Sequence, residues 1–136
     1  MIIADTSGLL ALFNSSEPEH AAVRDHVAEV SERLVVSPYV VAGLDYLVAS
    51  ACRCGCRAGR ARGTPAGAYE LAKLDAADIE RASAVIRRYR DQSIGLADAS
   101  IVVLAERHRT RQILTLDRRH FDMLRPLSGG RFKLIP

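Results

Sequence analysis

The sequence predicts an α/β protein, a three-layer α/β/α sandwich on a mainly parallel central sheet. Three observations carry that expectation. Short runs such as Ile2-Ile3-Ala4 and Leu34-Val35-Val36 are continuously apolar, as strands covered on both faces are. Between such runs lie longer stretches with apolar residues at helical spacing. Polar capping residues mark several of the junctions, which is the pattern of alternating strand and helix.

Taken in order, Ile2 to Ala4 reads as a buried strand that feeds a helix through Asp5-Thr6-Ser7, with Leu9 to Phe13 as the helix and Asn14-Ser15-Ser16 as its stop. Pro18 suits a first helical turn, and Glu19 to Val30 is amphipathic, with Val23, Val27 and Val30 on one face. Leu34 to Val36 is a second buried strand. Ser37-Pro38 then caps a helix running through Tyr39, Val40, Leu44, Leu47 and Val48. Ala68 to Leu71 reads as a strand, and a capped helix follows Asp75. Its inner face is Ile79, Ala82, Val85, Ile86 and Tyr89, with Arg81, Arg87, Arg88 and Arg90 outside. Ala97-Asp98 opens another helix, whose buried stripe is Ile101, Val102, Leu104 and Ala105. Ile113 to Leu116 is a buried strand ending at Asp117, and Phe132 to Ile135 adds an edge strand.

At 136 residues the chain suits a single domain, 1–136, with one hydrophobic core. Trp is absent and aromatics make up 5%, which argues against recognition of bases by an aromatic platform. The opening MIIADTSGLLALF has no basic leader and carries Asp5 inside its apolar run, so it reads as neither a signal peptide nor a membrane span, and a cytoplasmic protein is expected. The pI of 9.0 does not by itself imply nucleic acid. Arg53, Arg57, Arg60 and Arg62 fall in one segment, and taking four charges from the net +3 leaves −1. Cys52, Cys54 and Cys56 are odd in number for a disulfide framework and lack the fourth ligand of structural zinc.

Residues 51–65, ACRCGCRAGRARGTP, have no apolar period and end on Thr-Pro, so they read as an irregular, basic, loop-like connection. Codons compatible with this run, shifted forward by one base, spell an alanine- and valine-rich amphipathic helix in the style of its flanks. A compensated pair of frameshifts in a GC-rich gene would account for the cysteines and the lost helix together.

Asp5 closes the first strand, Asp98 begins a helix and Asp117 closes a late strand. In an open parallel sheet, chemistry gathers beyond the carboxyl ends of strands. Three carboxylates meeting there repel one another unless a divalent cation or raised pKa values relieve them. Oxygen ligands without His or Cys favour Mg2+, or Mn2+, over zinc. Such an ion can polarise a phosphodiester and activate water. Each aspartate also has an ordinary reading as a helix cap, and Ser7 and Thr115 as local caps or turn bonds. Arg118 and Arg119 beside Asp117 are suited to touch phosphate, although each taken singly reads more readily as solvated surface charge. His120 is a weaker candidate for a general base.

Four stretches together resemble a known family. IIADTSGLLALF is similar to the opening of PIN domains, VVSPYVVAGLDYLV to the helix carrying the second acid in VapC toxins, IGLADASIVVLAERH to the segment bearing the third, and ILTLDRRHF to a T-x-D strand end. The resemblance implies a PIN-like α/β/α fold and divalent-metal-dependent cleavage of RNA. It also implies a homodimer and neutralisation by a VapB-type antitoxin. By this resemblance Asp5, Asp98 and Asp117 are the metal-binding, catalytic acids, with Ser7, Thr115, Arg118 and Arg119 as candidate substrate contacts.

One position departs from the family. Where a glutamate is expected, the chain has Gly43, which offers no ligand and costs a helix up to about 1 kcal/mol relative to alanine. Asp45, two residues on, points to a different helix face. The leading expectation is therefore a ribonuclease toxin of impaired activity. The alternative is a weakened or inactive PIN protein that acts by dimerising and binding antitoxin. A phosphatase- or receiver-type phosphoryl-transfer domain fits the sheet but wants a second acid two residues after Asp5, where Ser7 stands.

Overall fold

A computed structural model describes residues 1–52 and 69–136, with the side chains of residues 46–52 left aside. The segment expected to be irregular, 51–65, lies outside the described residues except for Ala51 and Cys52, which end a helix. Five strands and six α-helices alternate among the described residues. They are β1 (Ile2–Ala4), α1 (Thr6–Phe13), α2 (His20–Val30), β2 (Leu34–Val36), α3 (Pro38–Cys52), β3 (Glu70–Leu71), α4 (Ala76–Arg88), α5 (Leu96–Arg107), β4 (Gln112–Leu114), α6 (Arg118–Met123) and β5 (Lys133–Ile135).

The strands form one sheet in the order β3-β2-β1-β4-β5, and every pairing is parallel. The expected sandwich follows from burial. Successive strand residues point to opposite faces, yet Ile2, Ile3 and Ala4 are all 0% exposed, so β1 is covered on both sides. The chain builds outward from β1 to β2 and β3, then crosses back to place β4 and β5 on the other side. The strand order therefore reverses between β1 and β4, and ligands of open α/β sheets bind beside such a reversal, beyond the strand ends.

Two close contacts set the helices. A Cβ on Gly8 would overlap the Leu114 carbonyl, so only glycine lets the first turn of α1 rest on the end of β4. Asp78, buried at the start of α4, pairs with Arg107 at the end of α5, and Arg107 also donates to the Lys73 carbonyl at 2.5 Å. The Asp75 and Asp78 side chains each accept the other's backbone N–H at 2.9–3.0 Å, the reciprocal cap that starts α4.

Several expectations shift. Pro18 lies in a turn before α2, which starts at His20. Ile79, assigned to the inner face of α4, is 39% exposed. The strand expected over Ile113 to Leu116 pairs only as far as Leu114, with one further bond from the Thr115 N–H to the Ile135 carbonyl. Residues Ala99 to Ala105 of α5 are all buried rather than forming a stripe.

Candidate active site

Asp5 leaves the end of β1 as the N-cap of α1 and is 7% exposed. A buried carboxylate needs hydrogen-bond donors, and its Oδ2 accepts from the Ser7 hydroxyl at 2.8 Å and the Thr115 hydroxyl at 2.9 Å. The two hydroxyls lie 3.1 Å apart. Ser7 Oγ also accepts from the Leu116 N–H at 2.9 Å, and Thr115 Oγ1 from the Asp117 N–H at 3.0 Å. Ser7 and Thr115, expected as candidate substrate contacts, thus bridge the two sides of the strand reversal and hold Asp5 between them. Thr115 is 1% exposed.

Asp117 caps α6, a short helix missing from the sequence expectation. Its Oδ1 accepts from the His120 N–H at 3.2 Å, and its Oδ2 lies 3.0 Å from the His120 ring Nδ1. His120 is a weaker candidate in the sequence than the neighbouring arginines, although the three-residue spacing of Asp117 and His120 at a helix start is a readable sign of such a pair. Arg118 is exposed and donates to the Pro136 carbonyl at 2.7 Å, while Arg119 is exposed beside it.

Asp98 sits in the first turn of α5, where its Oδ2 accepts from the Gly95 N–H at 3.2 Å. Burial pushes its carboxyl above the ordinary value of 3.8, and the Gly95 bond opposes this. The charge of Asp5 pushes it further up, His120 pulls it down, and Asp117 pushes it up again. The charges of Asp5, at the end of β1, and of Asp117, beyond β4, thus both reach Asp98 in the first turn of α5. Position 43 joins the same neighbourhood. A Cβ built on Gly43 would meet only the Thr6 hydroxyl, at an unstrained 3.6 Å, and Thr6 adjoins Asp5. Asp45 is exposed.

The donor set is entirely oxygen, and mutual repulsion at Asp98 is what a divalent cation would relieve. Among the described residues, however, no group of three or more His, Cys, Asp and Glu side chains is arranged to hold a metal ion directly. Each acid is turned to its own donors: Asp5 to two hydroxyls, Asp98 to the Gly95 amide and Asp117 to His120. Oxygen donors of this kind could hold a hydrated divalent cation through one or two carboxylates, not a closed cage of protein ligands.

Comparison with known proteins gives the family and the fold. The PIN domain family matches residues 2–125. Ribonuclease VapC26 of Mycobacterium tuberculosis is 55% identical over 135 residues, which span 99% of this chain and 100% of that protein. The crystal structure of VapC20 from Mycobacterium tuberculosis, described as a toxin cleaving the sarcin–ricin loop, superposes with a TM-score of 0.73. It covers 100% of both chains at 19% identity, a likeness of fold.

Proposed function

From the chain's membership of the PIN-domain family, and within it of the VapC ribonucleases, we propose that it is a Mg2+-dependent endoribonuclease toxin with an active site short of one acid. The observation that carries this reading is the strand reversal itself, where Thr115 bonds both the Asp5 carboxylate and the Asp117 N–H, the charges of Asp5 and Asp117 bear on Asp98, and a glycine stands at position 43. Asp5, Asp98 and Asp117 are the residues to hold the ion, with Mn2+ as a substitute. A divalent ion bound there supplies charge neutralisation at the scissile phosphate and an activated water.

The chain's own side chains do the positioning. Ser7 and Thr115 fix the Asp5 carboxylate, so that its rotamer does not have to be ordered when RNA arrives. His120 grips Asp117 through both its backbone N–H and its ring. Arg118 and Arg119, at the start of α6, are exposed next to Asp117 and suit phosphate contacts that position the strand without reading bases. The low aromatic content, 5% with no Trp, fits a substrate recognised by shape.

A second reading, favoured specifically by Gly43, is a protein that dimerises and binds a VapB-type antitoxin while cleaving little RNA. Incubation with a structured RNA separates the two. The first reading expects cleavage that requires Mg2+, stops with chelator and is lost in Asp5→Asn. The second expects antitoxin binding with no cleavage above that of Asp5→Asn.

A further inference from the structure

Two buried hydroxyls stand apart from the acids and join the helices that bear Asp98 and position 43. Ser37, 0% exposed at the end of β2, caps α3 by accepting the Tyr39 N–H at 3.2 Å. Ser100, 1% exposed in α5, has its Oγ 2.6 Å from the Ala97 carbonyl and 2.7 Å from the Ser37 hydroxyl. The short chain of bonds therefore runs from the start of α3 to the first turn of α5, and Asp98 directly follows the Ala97 carbonyl on which it ends. Gly43 lies further along the same α3 that Ser37 caps.

The stability of α5 does not call for a serine here. Ser100 interrupts an otherwise apolar run from Ala99 to Ala105, and a hydroxyl inside a helix brings neutral or unfavourable propensity. What a hydrogen bond adds over apolar packing is direction. Apolar contacts tolerate small rotations of one helix against its neighbour, whereas a 2.7 Å bond does not.

We infer that Ser37 and Ser100 are positioning residues for the acidic centre, their bond fixing the rotation of α5 against α3 and with it the placement of Asp98 in the first turn of α5. The inference rests on the reading of those acids as the ion site, and it is a claim about placement rather than contact with substrate.

The test uses Ser37→Ala and Ser100→Ala in the full chain, singly and together. Ser37→Ala is the cleaner change, because Ser100 keeps its bond to the Ala97 carbonyl, whereas in Ser100→Ala the Ser37 hydroxyl still accepts the Tyr39 N–H but its own proton loses the Ser100 oxygen. Mn2+ alone is the probe, with free ion counted by electron paramagnetic resonance. We expect Mn2+ to bind about fivefold more weakly in each single variant, less than the loss usual for a residue bonded directly to a ligand. The double variant should be no worse than either single one, since all three lack the same bond. Hydrogen exchange supplies a readout independent of the ion: the Ala99 and Ser100 amides should exchange severalfold faster while later α5 amides stay unchanged. Unchanged exchange at Ala99 and Ser100 in both single variants overturns the inference, and so does an acceleration spread evenly along α5. Should the parent bind no Mn2+, the ion reading fails, and the exchange data alone still decide whether the bond sets the first turn of α5. If one single variant does not fold, the other removes the same bond from the opposite side.

Discussion

Asp98 is partly buried, feels the charges of Asp5 and Asp117, and has the Gly95 amide and His120 to offset them. Its carboxyl is raised in the folded chain, so the folded state holds that proton more tightly than the unfolded one. The ionised form therefore costs stability at neutral pH, and the cost fades as the pH falls through the raised value toward the ordinary 3.8. Asp98→Asn keeps an oxygen for the Gly95 N–H and discards the charge. It should melt at a higher temperature than the parent at pH 7, with the difference shrinking on acidification, while RNA cleavage falls to background. Thermal melts across pH, beside a cleavage assay, check both halves. Gly43→Glu is the opposite case. Its first side-chain atom fits at an unstrained distance, so the change should fold, and Mg2+ should raise its melting temperature more than the parent's because a fourth acid joins the cluster. An equal Mg2+-induced rise in the two proteins would remove position 43 from the ion site.

At the scale of elements, the strands β1 and β2 were legible to the residue, because parallel strands buried on both faces leave uninterrupted apolar runs. Caps at Asp5, Ser37 and Asp75 were legible for the same local reason. α6 was not, because six residues with one buried side chain, Phe121, carry no period to read. Pro18 misplaced the start of α2 because proline suits a turn as well as a first helical turn. Gly8 shows how an element reaches the site: it lets α1 lie on β4, where Ser7 meets Thr115. Gly8→Ala should cost about 1–3 kcal/mol of stability through overpacking, and with it the seating of Asp5, as measured by denaturant unfolding. A loss below a few tenths of a kcal/mol would mean that α1 shifts freely. Arg107→Ala leaves the buried Asp78 with only its backbone partner, and we expect a loss of about 2 kcal/mol, discounted because Arg107 is 35% exposed. That loss should shrink in the Asp78→Asn background to what the bond from Arg107 to the Lys73 carbonyl contributes.

Across the whole molecule, the site depends on crossover topology that no local pattern records. Asp5 and Asp117 could be seen at strand ends, but whether those strands are neighbours is decided by the order β3-β2-β1-β4-β5. The placement of Asp98 opposite them depends on how α5 packs against β1, α3 and α4, which the sequence showed only through the family resemblance. The sequence singled out the three acids but not how each is held, because the donors to Asp5 come from residues up to 110 positions away. On the proposed function, the fold still gathers an ion-binding centre that Gly43 weakens rather than abolishes. The direct measurement is the rate of cleavage of one structured RNA across a Mg2+ titration by the chain as it stands, by Gly43→Glu, and by Gly43→Glu combined with Asp98→Asn. The account expects weak Mg2+-dependent cleavage in the first, a faster rate reaching half-maximum at lower Mg2+ in the second, and none in the third. Equal rates in the first two, or cleavage surviving in the third, would contradict it.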